Sequence, residues 1–278
     1  MQKFTQFDSY KMNRSNTNSN IFWTPELIIF THIPKTAGTS LKQILNRNYA
    51  SENIFLLYGD NPLKKSIKLL IDDLNVTLQN EDNKKSKNEK KIKVIGGHLG
   101  FGIHELIIPR YFTYITLLRN PIERVISYYS HVKRYFNNQL GDKARSMTLK
   151  EFVEGQVSIE VDNWQTRYLS GLGWQRFMLG TGSNIGYGQC SEEMLKQAKS
   201  NLRRYYIFGI QEEFESSLLL FSQILGWKFA TNLEVNVNTK KTRKEDLDQL
   251  TINAIVKHNQ LDMDLYLYAE NLFKSRFF

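Results

Sequence analysis

Residues 31–40 read Thr-His-Ile-Pro-Lys-Thr-Ala-Gly-Thr-Ser, and their side chains suit the capture of an anion. Lys35 supplies a mobile positive charge, Thr36, Thr39 and Ser40 offer hydroxyl donors, and Gly38 lets a bound group approach the backbone closely. Pro34 and Ala37 complete a tight loop. The flanks give that loop a frame. Leu27 to Phe30 is a continuous apolar run of the kind a parallel sheet buries on both faces, and Leu41, Ile44 and Leu45 recur at helical spacing afterwards. The first N–H groups of a helix lack internal partners and stand at the positive end of its dipole, so an anion held there gains hydrogen bonds and field together. An ordinary capped strand-to-helix turn would use many of the same residues.

A second segment repeats the pattern. Residues 114–131 run from an apolar strand through Arg119 into a helix marked by Asn120 as N-cap, Pro121 at the first helical position and Glu123 at the capping-box position. Ile122, Val125, Ile126 and Tyr129 make the expected buried stripe, which leaves Glu123, Arg124 and Ser127 on the side facing a crevice above the sheet. Arg119 at the strand tip and Ser127, one to two turns along the helix and about 10 Å from its start, offer a planar fork and a hydroxyl to a second phosphate.

Together, Pro34 to Ser40 and Arg119 to Arg124 with Ser127 resemble the two nucleotide-binding motifs of sulfotransferases that use 3'-phosphoadenosine 5'-phosphosulfate (PAPS). The likeness is to the carbohydrate group that includes heparan sulfate 2-O-sulfotransferase and its bacterial relatives. Supporting matches lie in Gly96 to Glu105, which includes His98 and His104, in Asn163 to Gly171 and in His258 to Met263, so the resemblance spans roughly residues 27–270. It implies an α/β fold, a central parallel sheet flanked by helices with a P-loop-like nucleotide site. It also implies that Pro34, Lys35, Thr36, Ala37, Gly38, Thr39 and Ser40 hold the 5'-phosphosulfate end of PAPS, while Arg119 and Ser127 hold the 3'-phosphate. The stretch Asn236 to Arg243 resembles a late loop that closes over the nucleotide, with Lys240 and Arg243 as its cations; a basic surface loop is the equal alternative.

Sulfuryl transfer to a hydroxyl needs a base, positive charge on the leaving phosphate and an in-line path. Among five histidines, His98 follows a short strand and is surrounded by Gly96, Gly97 and Gly100, which makes it the candidate general base. The resemblance points the same way. Lys35 is placed to stabilise charge on the bridging oxygen, a role that matters only in the transition state. His104 is the second candidate base, read rather as a substrate contact or a helper to His98, and Gln165 and Arg167 are candidates for holding acceptor or cofactor. His32 reads as structural, and His131 and His258 as packing or surface groups on helices. No His, Cys, Asp and Glu cluster has metal spacing, and the chemistry calls for none.

The chain has 278 residues, 41% hydrophobic, with a net charge of +9. That favours anionic partners, PAPS and an acidic carbohydrate among them. Nucleic acid would suit the same balance, but no aromatic platform interleaves the basic residues and no DNA-binding motif appears, so none is expected as a partner. No apolar run is long enough to span a membrane. Residues 1–22 read as a polar mobile arm, residues 23–278 as one sulfotransferase domain, and residues 80–92 as a flexible charged insertion. A single Cys190 and the lack of an apolar leader suggest a cytoplasmic location, unlike the anchored Golgi members of the carbohydrate group.

Strands are expected at Leu27 to Thr31, Lys93 to Gly96, Tyr114 to Leu118 and Tyr206 to Ile210, alternating with helices at Ser40 to Asn48, Ile122 to Phe136, from Thr148, from Ser191 to Leu202, and from Glu212 to a stop at Gly226. Two more helices fill Glu245 to Lys274, and Ser170 to Cys190 reads as a long loop near the acceptor. Two other functions share parts of this pattern. A P-loop kinase or NTPase would place its lysine after the glycines, and here Lys35 precedes Gly38; Leu69 to Asp73, the candidate metal-binding strand, has helical spacing instead. A non-catalytic glycan- or nucleotide-binding relative would have no need for Lys35, His98, Arg119 and Ser127 together.

Overall fold

The computed structural model describes residues 25–58, 92–107, 111–172, 185–228 and 244–277. The N-terminal arm, the helix read over Leu63 to Leu74, nearly all of the charged run, residues 173–184 of the long loop, and Lys240 and Arg243 lie outside the described residues.

Five segments, Leu27–Thr31 (β1), Ile54–Leu57 (β2), Val94–Gly97 (β3), Phe112–Leu118 (β4) and Tyr206–Ile210 (β5), pair in the order β2-β3-β1-β4-β5. Every pairing is parallel, with Thr31 beside Gly97, Phe30 beside Ile115 and Leu118 beside Ile210. β1 and β5 are buried at all positions, as strands covered on both faces must be. β4 starts two residues earlier than the apolar run suggested, and β2 was not foreseen. Parallel crossover requires helices, which are Gly38–Asn48 (α1), His104–Ile107 (α2), Pro121–Tyr135 (α3), Gln139–Ser146 (α4), Leu149–Glu154 (α5), Trp164–Ser170 (α6), Glu192–Tyr205 (α7), Phe214–Leu225 (α8), Gln249–His258 (α9) and Gln260–Phe277 (α10).

Local chemistry explains the boundaries. Thr148 and Glu151 form a reciprocal capping box at α5, Ser191 accepts from Met194 N at α7, Asp248 accepts from Thr251 N at α9, and Gly226 takes φ 68° to end α8. At α3 the Asn120 side chain accepts from Ile122 N at 3.1 Å and Glu123 N at 3.4 Å. Glu123 does not reach back to complete the box: its carboxylate takes Arg119 and the Lys244 N–H, and Asn120 N donates to Glu212 instead.

The core has two parts. One packs the sheet against Leu41, Ile44 and Leu45 of α1, Leu195, Ala198 and Leu202 of α7, Phe221 of α8 and Leu265 and Phe273 of α10. The other lies beneath α3, where Ile122, Val125, Ile126 and Val132 meet Phe152, Val153 and Ile255. Tyr128, not Tyr129, completes the buried face, and Arg124 turns inward with it and is fully buried, away from the crevice side expected of it.

A polar network stitches this second core to the sheet. Asp262 on α10 accepts from Gln165 N at 3.0 Å and from Thr166 N and Thr166 Oγ1 at 2.7 Å each. Asn259 caps the arrangement, accepting from Asn163 N and donating to Val161 and Ile255 carbonyls. Burial pushes the Asp262 carboxyl up while the buried Arg124 charge holds it down. Replacing Asp262 with Leu strands three donors and leaves the buried Arg124 with Glu160 as its remaining carboxylate, so Asp262→Leu should cost about 3–5 kcal/mol in urea unfolding. A loss below about 1 kcal/mol, the worth of an ordinary hydrogen bond, would show the network to be dispensable.

Candidate active site

Strand order alone creates a crevice. The chain leaves β1 on one side to build β2 and β3 and returns to its other side for β4 and β5, so the carboxyl ends of β3, β1 and β4 flank a topological switch point where ligands of open parallel sheets bind. His98 follows β3, the Lys35 loop follows β1, and Arg119 follows β4.

The loop after β1 is bent by two non-glycine residues in the left-handed region, Lys35 at φ 71° and Ala37 at φ 64°. Such conformations cost roughly 1–3 kcal/mol each and persist where surrounding contacts enforce them. Thr36 enforces one of them: its buried hydroxyl donates to Ile33 O at 2.9 Å, so that group serves the loop and is not presented to a ligand. No side chain caps α1 at Ala37. Its first turn therefore offers main-chain N–H groups and dipole to the crevice, with Thr39 exposed and Ser40 half-buried beside it.

Arg119 joins this loop across the switch point. Its Nη1 donates to the Lys35 carbonyl at 3.2 Å and its Nη2 to Glu123 at 3.2 Å, while Nε is buried with no hydrogen-bond partner among the described residues. Burial draws the guanidinium pKa down, and the Glu123 and Glu212 carboxylates oppose that. Gln165 fixes the backbone beneath: its Oε1 accepts from Arg119 N at 3.0 Å and its Nε2 donates to Arg119 O at 2.8 Å. Ser127 lies one turn beyond Glu123 on α3, half-buried, with no hydrogen-bond partner among the described residues.

His98 stands in a cluster of rings. His32 stacks on it with centroids 4.9 Å apart, Tyr58 meets it edge-on at 5.2 Å, and Tyr58 Oη hydrogen-bonds His32 Nδ1 at 2.9 Å. The Lys42 ammonium lies 4.9 Å from the Tyr58 ring centre. Burial first, then the charges of His98, Lys42 and Lys35, push the His32 pKa down to about 3; burial pushes Tyr58 up to about 12. The His131 ring packs on Tyr135 at 5.0 Å and on Phe136 at 5.7 Å, and its pKa is lowered by burial first and by the Lys35 charge second. The glycines have different duties from those expected. A Cβ on Gly38 would fall 2.0 Å from His32 Cδ2, and one on Gly97, at φ 126°, would fall 1.8 Å from Leu57 O, so protein atoms already fill both spaces.

Three expected contacts lie elsewhere. His104 packs on Phe112 at 4.6 Å and shares 2.8 Å with the Tyr114 hydroxyl, at the amino-terminal end of β4 and so opposite the crevice. Gln165 is fully buried with both ends of its amide engaged on Arg119. Arg167 is buried in an ion pair with Asp162 and also donates to Gly186 O at 2.8 Å, anchoring the chain just after the long loop. Among the described residues, no group of three or more His, Cys, Asp and Glu is placed to hold a metal ion, and no helix is long and apolar enough to cross a membrane.

A parallel sheet with basic side chains at three adjacent strand tips defines an open α/β protein with a ligand crevice at the carboxyl edge of its sheet. Residues 21–269 match the profile of the sulfotransferase family, and the chain belongs to that family. It is similar to heparan-sulfate 6-O-sulfotransferase 1 of Homo sapiens, 31% identical over 191 residues covering 61% of this chain and 45% of that protein. Heparan-sulfate 6-O-sulfotransferase 1 of Cricetulus griseus is 30% identical over 61% of this chain and 46% of its own. The chain thus spans under half the length of these curated relatives. These relatives belong to the carbohydrate group to which the motifs pointed. Among solved structures, mouse sulfotransferase SULT7A1 complexed with PAP overlaps 90% of this chain and 91% of its own at 14% identity and a TM-score of 0.30, too loose a superposition to pair residues.

The neutral burial of His32 sets a pH dependence. Its folded pKa of about 3 lies below the ordinary 6.5, so the unfolded chain binds the extra proton and stability is lost as pH falls below 6.5. Between pH 7 and about pH 5 this one group should remove about 2 kcal/mol, read as a smaller acid loss in His32→Phe than in the native protein by urea unfolding at both pH values. Equal acid losses in the two proteins would mean that His32 is protonated in the fold.

Proposed function

We propose that this protein transfers a sulfuryl group from PAPS to a carbohydrate hydroxyl. The observation that carries the reading is the hydrogen bond from Arg119 to the Lys35 carbonyl, which makes the two anion-binding loops walls of one crevice. The 5'-phosphosulfate fits the uncapped first turn of α1 and the Lys35 loop. The 3'-phosphate fits Arg119, whose buried Nε is an unspent donor, together with Ser127. His98, on the third strand tip, takes the proton of the acceptor hydroxyl as its oxygen bonds to sulfur. The bond from sulfur to the bridging oxygen breaks on the opposite face, and the electron pair stays on the 5'-phosphate of the departing adenosine 3',5'-bisphosphate. Lys35 stabilises that charge, and no metal ion enters the step. Gln165 and Arg167 act behind the crevice, as supports of Arg119 and of the long loop. The names of the relatives make the 6-hydroxyl of a heparan-sulfate-like glycan the first acceptor to try.

Adenosine 3',5'-bisphosphate at a hundredfold its dissociation constant should raise the unfolding free energy by about 2.7 kcal/mol, with ADP and ATP plus magnesium well below it. Stabilisation by ATP and magnesium alone would favour a kinase or NTPase. Lys35→Ala should lower turnover by about 10²–10³-fold, more than it weakens the bisphosphate. His98→Ala should abolish transfer and leave nucleotide stabilisation intact; an active His98→Ala protein would remove His98 from the step.

A further inference from the structure

We infer that His32 is a positioning residue for the base: its imidazole occupies the space of a Gly38 Cβ and lies flat against His98, so the ring of His98 is held at a fixed distance from the first turn of α1. This inference rests on the reading of His98 as the general base. Three sides of His32 are defined. Gly38 closes one edge, since even a methyl group there would sit 2.0 Å from Cδ2 and 2.2 Å from Nε2. Tyr58 Oη holds Nδ1 at 2.9 Å, which fixes the ring about its own axis. Phe30 stacks on it at 5.3 Å and His98 at 4.9 Å, with ring planes within 14° and 21°. The backbone is tied as well, because His32 N donates to Gly97 O at 2.8 Å, one residue before His98. A phosphosulfate seated on α1 and a hydroxyl beside His98 would therefore be registered to each other through one imidazole. In-line transfer depends on that registration, because reacting groups displaced by about 1 Å lose on the order of 10² in rate. Among the described residues, the titratable and charged groups facing His32 are His98 after β3, Tyr58 after β2, Lys42 on α1 and Lys35 on its own loop, none of them a carboxylate that would favour a charged ring.

The test compares native protein with His32→Ala, His32→Phe and Tyr58→Phe. Single-turnover transfer from PAPS is followed from pH 5.5 to 9 with both substrates saturating, and the dissociation constant of adenosine 3',5'-bisphosphate is measured by calorimetry. His32→Ala should lose about 10² in rate while the dissociation constant changes by less than about threefold. His32→Phe, which keeps a flat ring in the same space, should recover most of that loss with the acid limb of the pH profile unmoved. Tyr58→Phe, which frees only the rotation, should fall between the two. A His32→Ala protein within about threefold of native rate overturns the inference, as does a rate loss matched by an equal loss of bisphosphate affinity. A moved acid limb in His32→Phe overturns it too, since His32 would then be a titrating participant. If His32→Ala does not fold, the His32→Phe rate and limb decide alone, and a Phe variant as slow as His98→Ala refutes positioning by ring shape. Failure of the underlying reading looks different: native protein would show no transfer, or His98→Ala would be as active as native.

Discussion

The reach of the Arg119 guanidinium to the Lys35 carbonyl is the contact on which the site depends. Those residues are separated by 84 positions in sequence, and without this bond the two strand tips would be independent loops. Its strength comes from its surroundings. A guanidinium that is 8% exposed is costly to desolvate, and two acceptors, the Lys35 carbonyl and the Glu123 carboxylate, offset that cost. The Lys35 loop in turn is strained at Lys35 and Ala37, and a hydrogen bond to the Lys35 carbonyl helps hold the left-handed turn in place. Each loop is thus part of the reason the other keeps its shape.

Behind Arg119 lies a second layer that acts on its backbone. Gln165 grips both polar groups of the Arg119 residue, and Asp262 grips Gln165 N from α10, 97 positions further on. Helix α6 is therefore tied near its start to the strand tip through Gln165 and, through Arg167 and the preceding Asp162, to the chain at Gly186 and Gly188. A disturbance at the long loop has a hydrogen-bonded route to Arg119. The buried Arg124 belongs to the same layer, balanced against Asp262, with Nε and Nη1 buried and unbonded among the described residues. Such a charge network is specific but unforgiving, since losing either sign leaves the other stranded in low dielectric.

How much of this was legible depended on how far a residue acts from its own segment. β1, β4 and β5 are apolar runs ended by turn chemistry, and the caps at Asn120, Thr148 and Ser191 announce their helices within four residues. β2 escaped because Ile54 to Leu56 are only half-buried at the sheet edge and the strand has just four residues. Arg124 was placed on the wet side by periodicity, which counts any arginine as polar; the groups that compensate its burial, Asp262 on α10 and the carbonyl and carboxylate of Glu160, come from other segments. The segments at Asn163 and His258 were recognised as family-like without a physical reason. Their reason is mutual, since Asn163, Gln165 and Thr166 are the partners of Asn259 and Asp262. Gln165 and His104 were assigned to ligands because a polar side chain near a motif invites that reading, whereas their hydrogen bonds are spent on the protein.

Gly38 sharpens the point. A glycine in a phosphate loop is ordinarily explained by the ligand, which needs the backbone bare. Here the bare space is filled by His32 from the other side, and that changes what the loop motif specifies. The Gly38 position is coupled to the identity of residue 32, and residue 32 is coupled to the ring that follows β3. A larger residue at position 38 would first displace His32 and then, through the stack, His98, before it touched a ligand at all. The lysine loop and the histidine are therefore not two functional elements that happen to be adjacent: they share a wall one imidazole thick, and the sheet order that brings β3 beside β1 is what allows a wall that thin.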